Sequence, residues 1–355
     1  MNSSNISFSE INNISELVLI TESWTELNIS CTNCNLFKEP QWIFAWLNTY
    51  WQNTWHLKVL TAWQDKELIA IVPLYYQQET FFSLQTLYPL GQGEAEKKEI
   101  SSEYLDILIQ PKHKSETIKY ITDWIEKLSC EQLVWKALTE NSIANEVLTS
   151  LNKNMTKSQS TRYLVAAQSW KISKLSKNMR SRYRRGLNQL TKLDAKIGWV
   201  KSEKIDQYWQ LMKEFHQLRW RNKDKAGAFA SDEFNQFHQK FRQQAPEKIA
   251  MSAIWINDSP IAIHYYFRDS STLYFYQSGW NENEYAQISP GLILHLWGIE
   301  HNTEAFYDFM MGKKQGSYKA KFSPLQQPMY NISINFSPIK LIVNRILKKI
   351  KLIKH

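Results

Sequence analysis

The stretch from Ile249 to Phe322 constrains the fold most, because several short elements follow one another there without a long loop. Residues 249–256 have the β-branched and aromatic composition of a strand, and residues 261–267 repeat it after the turn-forming Asn257-Asp-Ser-Pro. Further strands are predicted at 272–277 and 305–311. The sequence therefore predicts a hairpin, a third strand and a short final strand.

A helix is predicted between the last two of these strands, at residues 290–299. Ser289 stands at the N-cap position and Pro290 at the first helical position, where its missing N–H costs nothing. The start of a helix has unpaired backbone N–H groups and a partial positive charge. Such a helix start suits a phosphate or a pyrophosphate.

A similar order of elements occurs upstream. Residues 40–50 have apolar side chains at helical spacing behind Pro40, and strands are predicted at 55–62 and 67–75 on either side of a polar turn. The prediction continues with a strand at 104–109, a helix at 113–128 and a strand at 132–137. A chain of 355 residues is long enough for two domains, so we expect two α/β units of related plan.

The C-terminal pattern resembles a known family. The hairpin, the third strand, the Ser289-Pro-Gly helix start, the Tyr307-Asp-Phe strand and the Tyr318-Lys pair resemble the BioF2-like (CelD-type) acyltransferases of the GNAT superfamily, which are relatives of the FemAB aminoacyltransferases. The resemblance extends through residues 174–185 and 215–220, and more loosely to 37–42. It implies an α/β (α+β) fold of tandem GNAT-like domains, each a mixed, mostly antiparallel sheet flanked by helices.

The resemblance also implies the domain boundaries. Residues 1–170 correspond to a degenerate first GNAT-like copy that shapes the acceptor cleft, and residues 171–200 to a basic linking helix. Residues 201–338 correspond to the donor-binding domain, and residues 339–355 form a basic amphipathic tail.

The acyl donor implied by the GNAT plan is acetyl-CoA, bound as a co-substrate. The third strand, Tyr274 to Ser278, would direct backbone N–H groups at the thioester carbonyl. The resemblance places the donor on Gln277, Ser278, Gln287, Ser289 and Gly291. The loop before the helix lacks the two glycines usual in acetyl-CoA sites, so aminoacyl-tRNA remains an alternative donor.

Four residues are candidates for acid–base chemistry. His264 lies in a predicted strand, where a structural histidine is the commoner finding, and Asp308 lies in an apolar strand, where a carboxylate must be paired or catalytic. By the resemblance, Lys319 positions donor and acceptor groups, and Tyr318 is a candidate acid toward the leaving thiolate.

Six cations between Lys174 and Arg185 point to a helix that is either solvated or partly used as a phosphate clamp, with Arg180 and Arg184 on one side. The run is short and no recognised nucleic-acid module surrounds it, so tRNA is the one nucleic acid retained, under the alternative donor. By the resemblance, Arg219 and Trp220 contact the acceptor. The charged loop at 220–229 is a candidate gate over the substrate.

The remaining features concern metal binding and the cellular location of the protein. Three cysteines, of which Cys31 and Cys34 form half a zinc-ribbon spacing, predict neither a disulfide framework nor a metal site. The N-terminal residues lack the pattern of a secretory signal, and no apolar run is long enough to span a membrane, so we expect a cytoplasmic protein. The tail at 339–355 has the composition of a helix that binds an anionic membrane surface or packs against the protein, which adds a peripheral location on the inner membrane face.

Together these features predict an acyltransferase that moves an acetyl group from acetyl-CoA to an amine or hydroxyl. The acceptor would be a sugar, a glycolipid precursor or another small molecule, in cell-envelope or exopolysaccharide synthesis. Two alternatives stay open. One is a FemAB-type aminoacyltransferase that uses aminoacyl-tRNA, and the other is a non-catalytic binding protein in polysaccharide assembly.

Overall fold

The computed structural model describes residues 6–78, 83–151, 153–222, 227–313 and 315–337. The chain forms two compact units. Unit 1 contains the described residues up to Ser160 together with those from Pro328 onward, and unit 2 is Thr161–Gln327. This division differs from the predicted boundaries, since the segment at 171–200 belongs to unit 2. The basic tail and part of the loop at 220–229 lie outside the described residues.

The helices of unit 1 are α1 (Ile14–Leu19), α2 (Thr21–Ser30), α3 (Pro40–Tyr50), α4 (Lys114–Lys127) and α5 (Ile143–Ser150). Those of unit 2 are α6 (Lys177–Lys192), α7 (Ile205–Arg221), α8 (Asp232–Gln244), the single turn α9 (Glu282–Tyr285) and α10 (Pro290–Glu300). None of the helices in the described residues is both long and apolar enough to cross a membrane.

The strands, in chain order, begin with β1 (Ser7–Ile11), β2 (His56–Gln64), β3 (Glu67–Gln77), β4 (Thr86–Pro89), β5 (Leu108–Ile109) and β6 (Gln132–Thr139). The remaining strands are β7 (Asn154–Ala166), β8 (Lys196–Trp199), β9 (Ile249–Ile256), β10 (Ser259–Arg268), β11 (Thr272–Trp280), β12 (Phe306–Gly312) and β13 (Leu325–Asn335). The hairpin, the third strand, the final strand and the helix at 290–299 predicted in unit 2 are all present.

Unit 1 contains strands in the order β1-β2-β3-β4-β6-β13, with β5 beside β3. The strands β1 to β4 pair antiparallel, β4 and β6 pair parallel, and β13 pairs antiparallel with β6. The parallel pair needs a crossover connection, which contains α4. The tryptophans Trp24, Trp42, Trp46 and Trp135 are fully buried in unit 1, so they form core rather than a sugar-binding surface.

The strand predicted at 104–109 is confined to Leu108 and Ile109. Upstream of it Tyr104 has a left-handed φ of 62°, which interrupts an extended conformation. The buried carboxylate of Asp106 accepts the backbone N–H groups of Ile143 and Ala144. These residues therefore hold the start of α5 instead of extending the sheet.

Unit 2 repeats the plan of unit 1. Its strands follow the order β8-β9-β10-β11-β12-β7, in which β8 to β11 pair antiparallel, β11 and β12 pair parallel, and β7 pairs antiparallel with β12. The parallel crossover contains α10. This correspondence, strand for strand, confirms two copies of one mixed, mostly antiparallel α/β plan.

The final strand of each sheet comes from an unexpected part of the chain. The sheet of unit 1 ends with β13, whose paired residues 329–335 follow unit 2 in sequence, whereas the sheet of unit 2 ends with β7, whose paired residues 161–166 come directly after unit 1. Nothing in the local pattern of either strand indicates which sheet it joins, because strand composition does not encode a distant pairing partner.

Helix α7 packs closely on β11 at Gly279. A Cβ atom at this glycine would lie 2.3 Å from the carbonyl oxygen of Met212 and 3.0 Å from Cβ of Phe215. The nearest obstacle is backbone, which cannot rotate away as a side chain would. The close approach therefore fixes the position of α7 against the sheet.

We expect Gly279→Ala to destabilise unit 2 by about 1–3 kcal/mol, because the methyl group must displace the backbone of α7. Chemical denaturation of the whole chain measures this loss. Gly291→Ala is the matched control, since a Cβ there meets nothing closer than a Trp280 ring carbon at 3.7 Å. Equal stabilities for the two variants would contradict the assigned packing of α7 on β11.

Candidate active site

The strands β11 and β12 separate partway along their length. Among the described residues their parallel pairing covers Thr272 to Tyr274 on one strand and Phe306 to Asp308 on the other. On the opposite side of β11, the pairing with β10 shifts by one residue between Tyr265 and Tyr266, which indicates a bulge. Bulges re-aim side chains, and the residues of β11 beyond this point turn toward a cavity.

This cavity, which we call the β11 cavity, has a volume of about 370 Å³. Its lining residues come from strands β10 and β11, from helices α6 and α7, from the segment at 282–286, from the start of α10 and from the segment at 318–322. They are Met179, Arg182, Arg219, His264, Ser278, Trp280, Glu282, Ala286, Ser289, Pro290, Gly291, Leu292, His295, Tyr318, Lys321 and Phe322. All of these residues belong to unit 2.

The start of α10 forms one wall of the β11 cavity. Ser289 occupies the N-cap position, but its φ of 62° is left-handed and its side chain makes no capping hydrogen bond, contrary to the capping role predicted for it. Its hydroxyl instead accepts a hydrogen bond of 2.7 Å from Nε of Arg182. The cationic side chain of Arg182 is thus held next to the positive end of α10. This arrangement favours the binding of an anion.

Two buried histidines line the β11 cavity together with the start of α10. His264 of β10 is 1% exposed, and its Nε2 atom is buried without a hydrogen-bond partner. The ring of His295, from α10, lies with its centroid 4.5 Å from that of His264. Burial lowers the pKa of His264 to about 3 and lowers the pKa of His295 well below its usual value, so both imidazoles are neutral at pH 7.

Charged side chains surround the entrance to the cavity. The guanidinium of Arg219 lies 4.1 Å from the ring centroid of Trp280, and its Nε is 2.9 Å from Oε1 of Glu282. Arg182 and Lys321 add two further cations. With three cations and one carboxylate, this rim is net positive and suits an anionic donor such as one carrying phosphates.

The structure brings together six of the site residues predicted from the sequence. Those that line the β11 cavity are Arg219, His264, Ser278, Ser289, Gly291 and Tyr318. Those that do not line it are Arg180, Arg184, Trp220, Gln277, Gln287, Asp308 and Lys319. In the second group, Asp308 and Lys319 bond around β12, and three others bond close to their own positions in the chain.

Asp308, which is buried, and Lys319, which is half-buried, both bond around β12. Asp308 is 0% exposed, and its Oδ2 lies 2.7 Å from both Nε and Nη2 of Arg162, while its Oδ1 accepts the backbone N–H of Met310. The ammonium of Lys319 donates to the carbonyl oxygens of Phe309 and Met311. These contacts hold β12 in place, and neither side chain reaches the cavity.

Three other predicted residues that do not line the cavity, Arg180, Gln287 and Trp220, form hydrogen bonds elsewhere. Arg180 donates to the carbonyl oxygens of Ser173 and Leu175 just before α6, and Arg184 is exposed. Gln287 donates to the carbonyl of Glu284, and Trp220 donates to Nε2 of His216 within α7. The helical face that reaches the cavity from α6 is that of Arg182.

Sequence reasoning missed five contributors to the site: Arg182, Trp280, Glu282, His295 and Lys321. Four of them gave no distinctive signal, because single charged or aromatic residues in loops and helices are common. His295 did offer one. It is the only polar side chain within the apolar run from Leu292 to Trp297, and a buried polar group needs a partner.

A larger cavity, of about 490 Å³, opens elsewhere on unit 2, between the start of α7, the end of α8 and the sheet. Its two cations are each paired with a carboxylate, Arg242 with Asp206 and Arg268 with Glu304. None of the predicted site residues lines it. We therefore place the candidate site in the smaller β11 cavity. No group of three or more potential metal ligands occurs among the described residues.

Comparison with known protein families identifies a domain in this part of the chain. Residues 177–320 match the family model described as an acetyltransferase (GNAT) domain. This segment contains the whole lining of the β11 cavity except Lys321 and Phe322. No curated protein sequence matches the chain.

Solved structures resemble the fold over nearly the full length. The crystal structure of FemX is similar with a TM-score of 0.65 at 8% identity, covering 95% of this chain and 100% of FemX. A C-terminal domain attributed to a lysylphosphatidylglycerol synthetase from Agrobacterium fabrum is similar with a TM-score of 0.54 at 8% identity, covering 92% of this chain and 94% of that domain. At such identities the likeness concerns the fold alone.

Proposed function

We infer that this chain is a GNAT-type acyltransferase, because residues 177–320 match the acetyltransferase (GNAT) domain. We propose that it moves an acetyl group from acetyl-CoA to an amine or hydroxyl. The observation that carries this proposal is the buried, unpartnered Nε2 of His264 at the β11 cavity, behind a net positive rim and the start of a helix. A buried nitrogen without a partner needs an explanation, and a reacting proton supplies one.

The anionic end of the donor would bind at the rim. Arg182, Lys321 and the start of α10 present positive charge there. The thioester would then extend along β11 past Ser278, where the strand has separated from β12 and its backbone can approach the carbonyl oxygen. Acetyl-CoA fits this arrangement because its phosphates and its thioester lie at opposite ends of one molecule.

The acceptor would react next to His264. Its nitrogen or oxygen attacks the thioester carbonyl carbon, and Nε2 of His264 takes the proton that the acceptor loses. The tetrahedral intermediate then collapses, the bond from carbon to sulfur breaks, and the thiolate takes up a proton. Tyr318, 47% exposed and lining the same cavity, remains the predicted source of that last proton.

A second candidate is transfer of an aminoacyl group from aminoacyl-tRNA. The helix start favours it in one respect, because Ser289 and Pro290 stand where acetyl-CoA sites usually have glycines, and Pro290 removes one backbone N–H. The fold likeness to FemX is compatible with either donor. A non-catalytic role in polysaccharide assembly predicts that substitutions at His264 leave the cellular function intact.

The acceptor we propose is a sugar, a glycolipid precursor or another small metabolite of the cell envelope. We further propose a cytoplasmic location, with residues 339–355 as a contact to the inner membrane face. The acceptor proposal rests on the resemblance to the BioF2-like acyltransferases, and the membrane contact rests on the net charge of +9 and on the basic amphipathic composition of those residues.

Isothermal titration with acetyl-CoA tests the donor. We expect the intact protein and Gly291→Ala to bind acetyl-CoA with a micromolar dissociation constant, because the alanine methyl fits beside Trp280. Gly291→Trp should abolish binding, since an indole would fill the start of α10. Absence of binding to the intact protein would overturn the acetyl-CoA proposal and favour aminoacyl-tRNA, which the same titration with charged tRNA would then reveal.

A further inference from the structure

One tryptophan differs from the others in its exposure. Among the tryptophans of the described residues, Trp199 on β8 is the one that is exposed, at 39%. The rings of Tyr266 and Trp297 contact its ring edge-to-face, with centroids 5.8 and 5.0 Å from that of Trp199. Because these contacts hold the indole in place, its exposed part is a preformed aromatic surface.

Trp199 lines the cavity of about 490 Å³ described above, which we call the Trp199 cavity. This cavity takes Arg268 from the end of β10 and Leu273 from the start of β11, and it shares no lining residue with the β11 cavity. Apolar residues such as Val200 and Met251 also line it. Unit 2 therefore has a second cavity of ligand size, with an aromatic and partly apolar lining.

Two ion pairs line the Trp199 cavity, and each joins a buried side chain to a more exposed one. Nε of the buried Arg242 lies 2.8 Å from Oδ1 of Asp206, whose side chain is 79% exposed. The buried carboxylate of Glu304 accepts a hydrogen bond from Nη2 of Arg268, whose side chain is 40% exposed. The guanidinium of Arg242 also packs over the ring of Trp209, 4.4 Å from its centroid. In each pair the buried member orients the exposed one.

These pairs decide which kind of ligand suits the cavity. They contain all the charged residues of its lining, two of each sign, so the lining has no net charge. An ionic ligand would have to compete with the partner that Asp206 or Arg268 already has, whereas a hydroxyl group can donate to the carboxylate or accept from the guanidinium without displacing either. Ser202 and Thr303 add two hydroxyl groups to the lining. A neutral ligand with several hydroxyls matches this set.

A neighbouring cavity of about 350 Å³ extends the binding surface. The residues that it shares with the Trp199 cavity are Arg268, Thr303 and Glu304. Because the two cavities are adjacent, a ligand longer than a single ring can occupy both. The neighbouring cavity adds the charged residues Glu247, Lys248 and Asp269, so no excess of positive charge appears that would suit an anion.

We propose that the Trp199 cavity binds a neutral saccharide of two or more rings. One sugar ring would lie with its C–H groups on the Trp199 indole, and its hydroxyls would bond to Asp206 and Arg268. This inference goes beyond the proposed acyl transfer, because the site is separate from the reacting groups. It gives the protein a means to hold a glycan without occupying the β11 cavity.

Titration with neutral disaccharides tests the site. The probes are maltose, cellobiose and N,N′-diacetylchitobiose, and the readout is the indole N–H signals of the intact chain in nuclear magnetic resonance spectra. Trp199→Ala identifies the signal of Trp199. We expect at least one probe to shift this signal with a millimolar dissociation constant. No shift with any of the three would overturn the proposal.

Three variants locate the binding. Ser202 is exposed, so Ser202→Trp places an indole at the edge of the cavity without disturbing the core and should abolish the shift. Asp206→Asn should weaken binding about tenfold, because it replaces a charge-assisted hydrogen bond by a neutral one. Tyr120→Ala is the matched control, since Tyr120 is an aromatic residue of unit 1 that is 43% exposed and lines neither cavity. Equal affinities for all three variants would contradict the site, and thermal unfolding identifies any variant that misfolds.

Leucine and inorganic phosphate represent zwitterionic and anionic ligands. Neither should shift the Trp199 signal, and a larger shift with either than with the disaccharides would overturn the choice of a neutral saccharide. The proposed function fails separately. If the intact protein shows no thiol release from acetyl-CoA, the proposed acetyl transfer is wrong, whereas the titration still decides whether the Trp199 cavity binds a saccharide.

Discussion

Replacement of Asp308 by Ala is expected to destabilise the protein by about 3–5 kcal/mol, because it removes the buried carboxylate that pairs with the guanidinium of Arg162. The carboxylate is fully buried, and the side chain of Arg162 is 17% exposed. The backbone N–H of Met310 also loses its acceptor. Urea denaturation of the whole chain measures the loss.

The matched control removes both charges together. Arg162→Met combined with Asp308→Leu should recover most of the stability, since replacing a buried ion pair by apolar groups of similar size is often neutral. The experiment also separates structure from catalysis. If Asp308→Ala kept its stability and lost thiol release, the carboxylate would be catalytic, as the sequence had left open, and the structural assignment would be wrong.

Replacement of His264 by Gln is expected to lower kcat by about 10²–10⁴-fold, the range typical for loss of a general base. Glutamine occupies a similar volume and retains hydrogen-bonding groups, so the cavity should keep its shape. Affinity for acetyl-CoA should change little, because the rim that binds the phosphates is untouched. Steady-state kinetics and isothermal titration on one preparation measure both quantities.

His301→Gln serves as the control for this substitution. His301 ends α10 on an exposed turn, where Nδ1 lies 2.9 Å from the carbonyl oxygen of Trp297, and it does not line the β11 cavity. Its kcat should equal that of the intact protein. A His264→Gln enzyme as active as this control would remove His264 from the mechanism, and with it the observation on which the proposed function rests.

The sequence predicted the elements of unit 2 well because their patterns are local. Alternating apolar residues, the turn at Asn257 and the Pro290 helix start each act within a few residues, and the structure confirms the hairpin, the third strand and α10. His264 lies on one of these predicted strands, whereas Gly291 was assigned from the family resemblance, and both line the β11 cavity.

Other parts of the site depend on distant partners. Asp308 was predicted to be paired or catalytic, but its partner Arg162 precedes it by 146 residues, too far for a local pattern to connect them. The Tyr318-Lys pair lies in a segment that lines the cavity, but the pair did not show that the ammonium of Lys319 turns toward the carbonyl groups of β12. His295 offered a signal as the only polar side chain of the apolar run 292–297, but this signal is not periodic and was overlooked.

The origin of the last strand in unit 1 bears on how the chain folds during synthesis. A ribosome completes β6 long before β13, and residues 161–327 emerge in between. At typical bacterial and eukaryotic elongation rates that interval lasts on the order of ten seconds. Throughout it one edge of β6 lacks its native neighbour, and an open edge strand readily pairs with another chain. The nascent protein would therefore avoid aggregation in one of two ways. Either a chaperone covers the open edge of β6, or the N-terminal half stays uncollapsed until β13 has been synthesised.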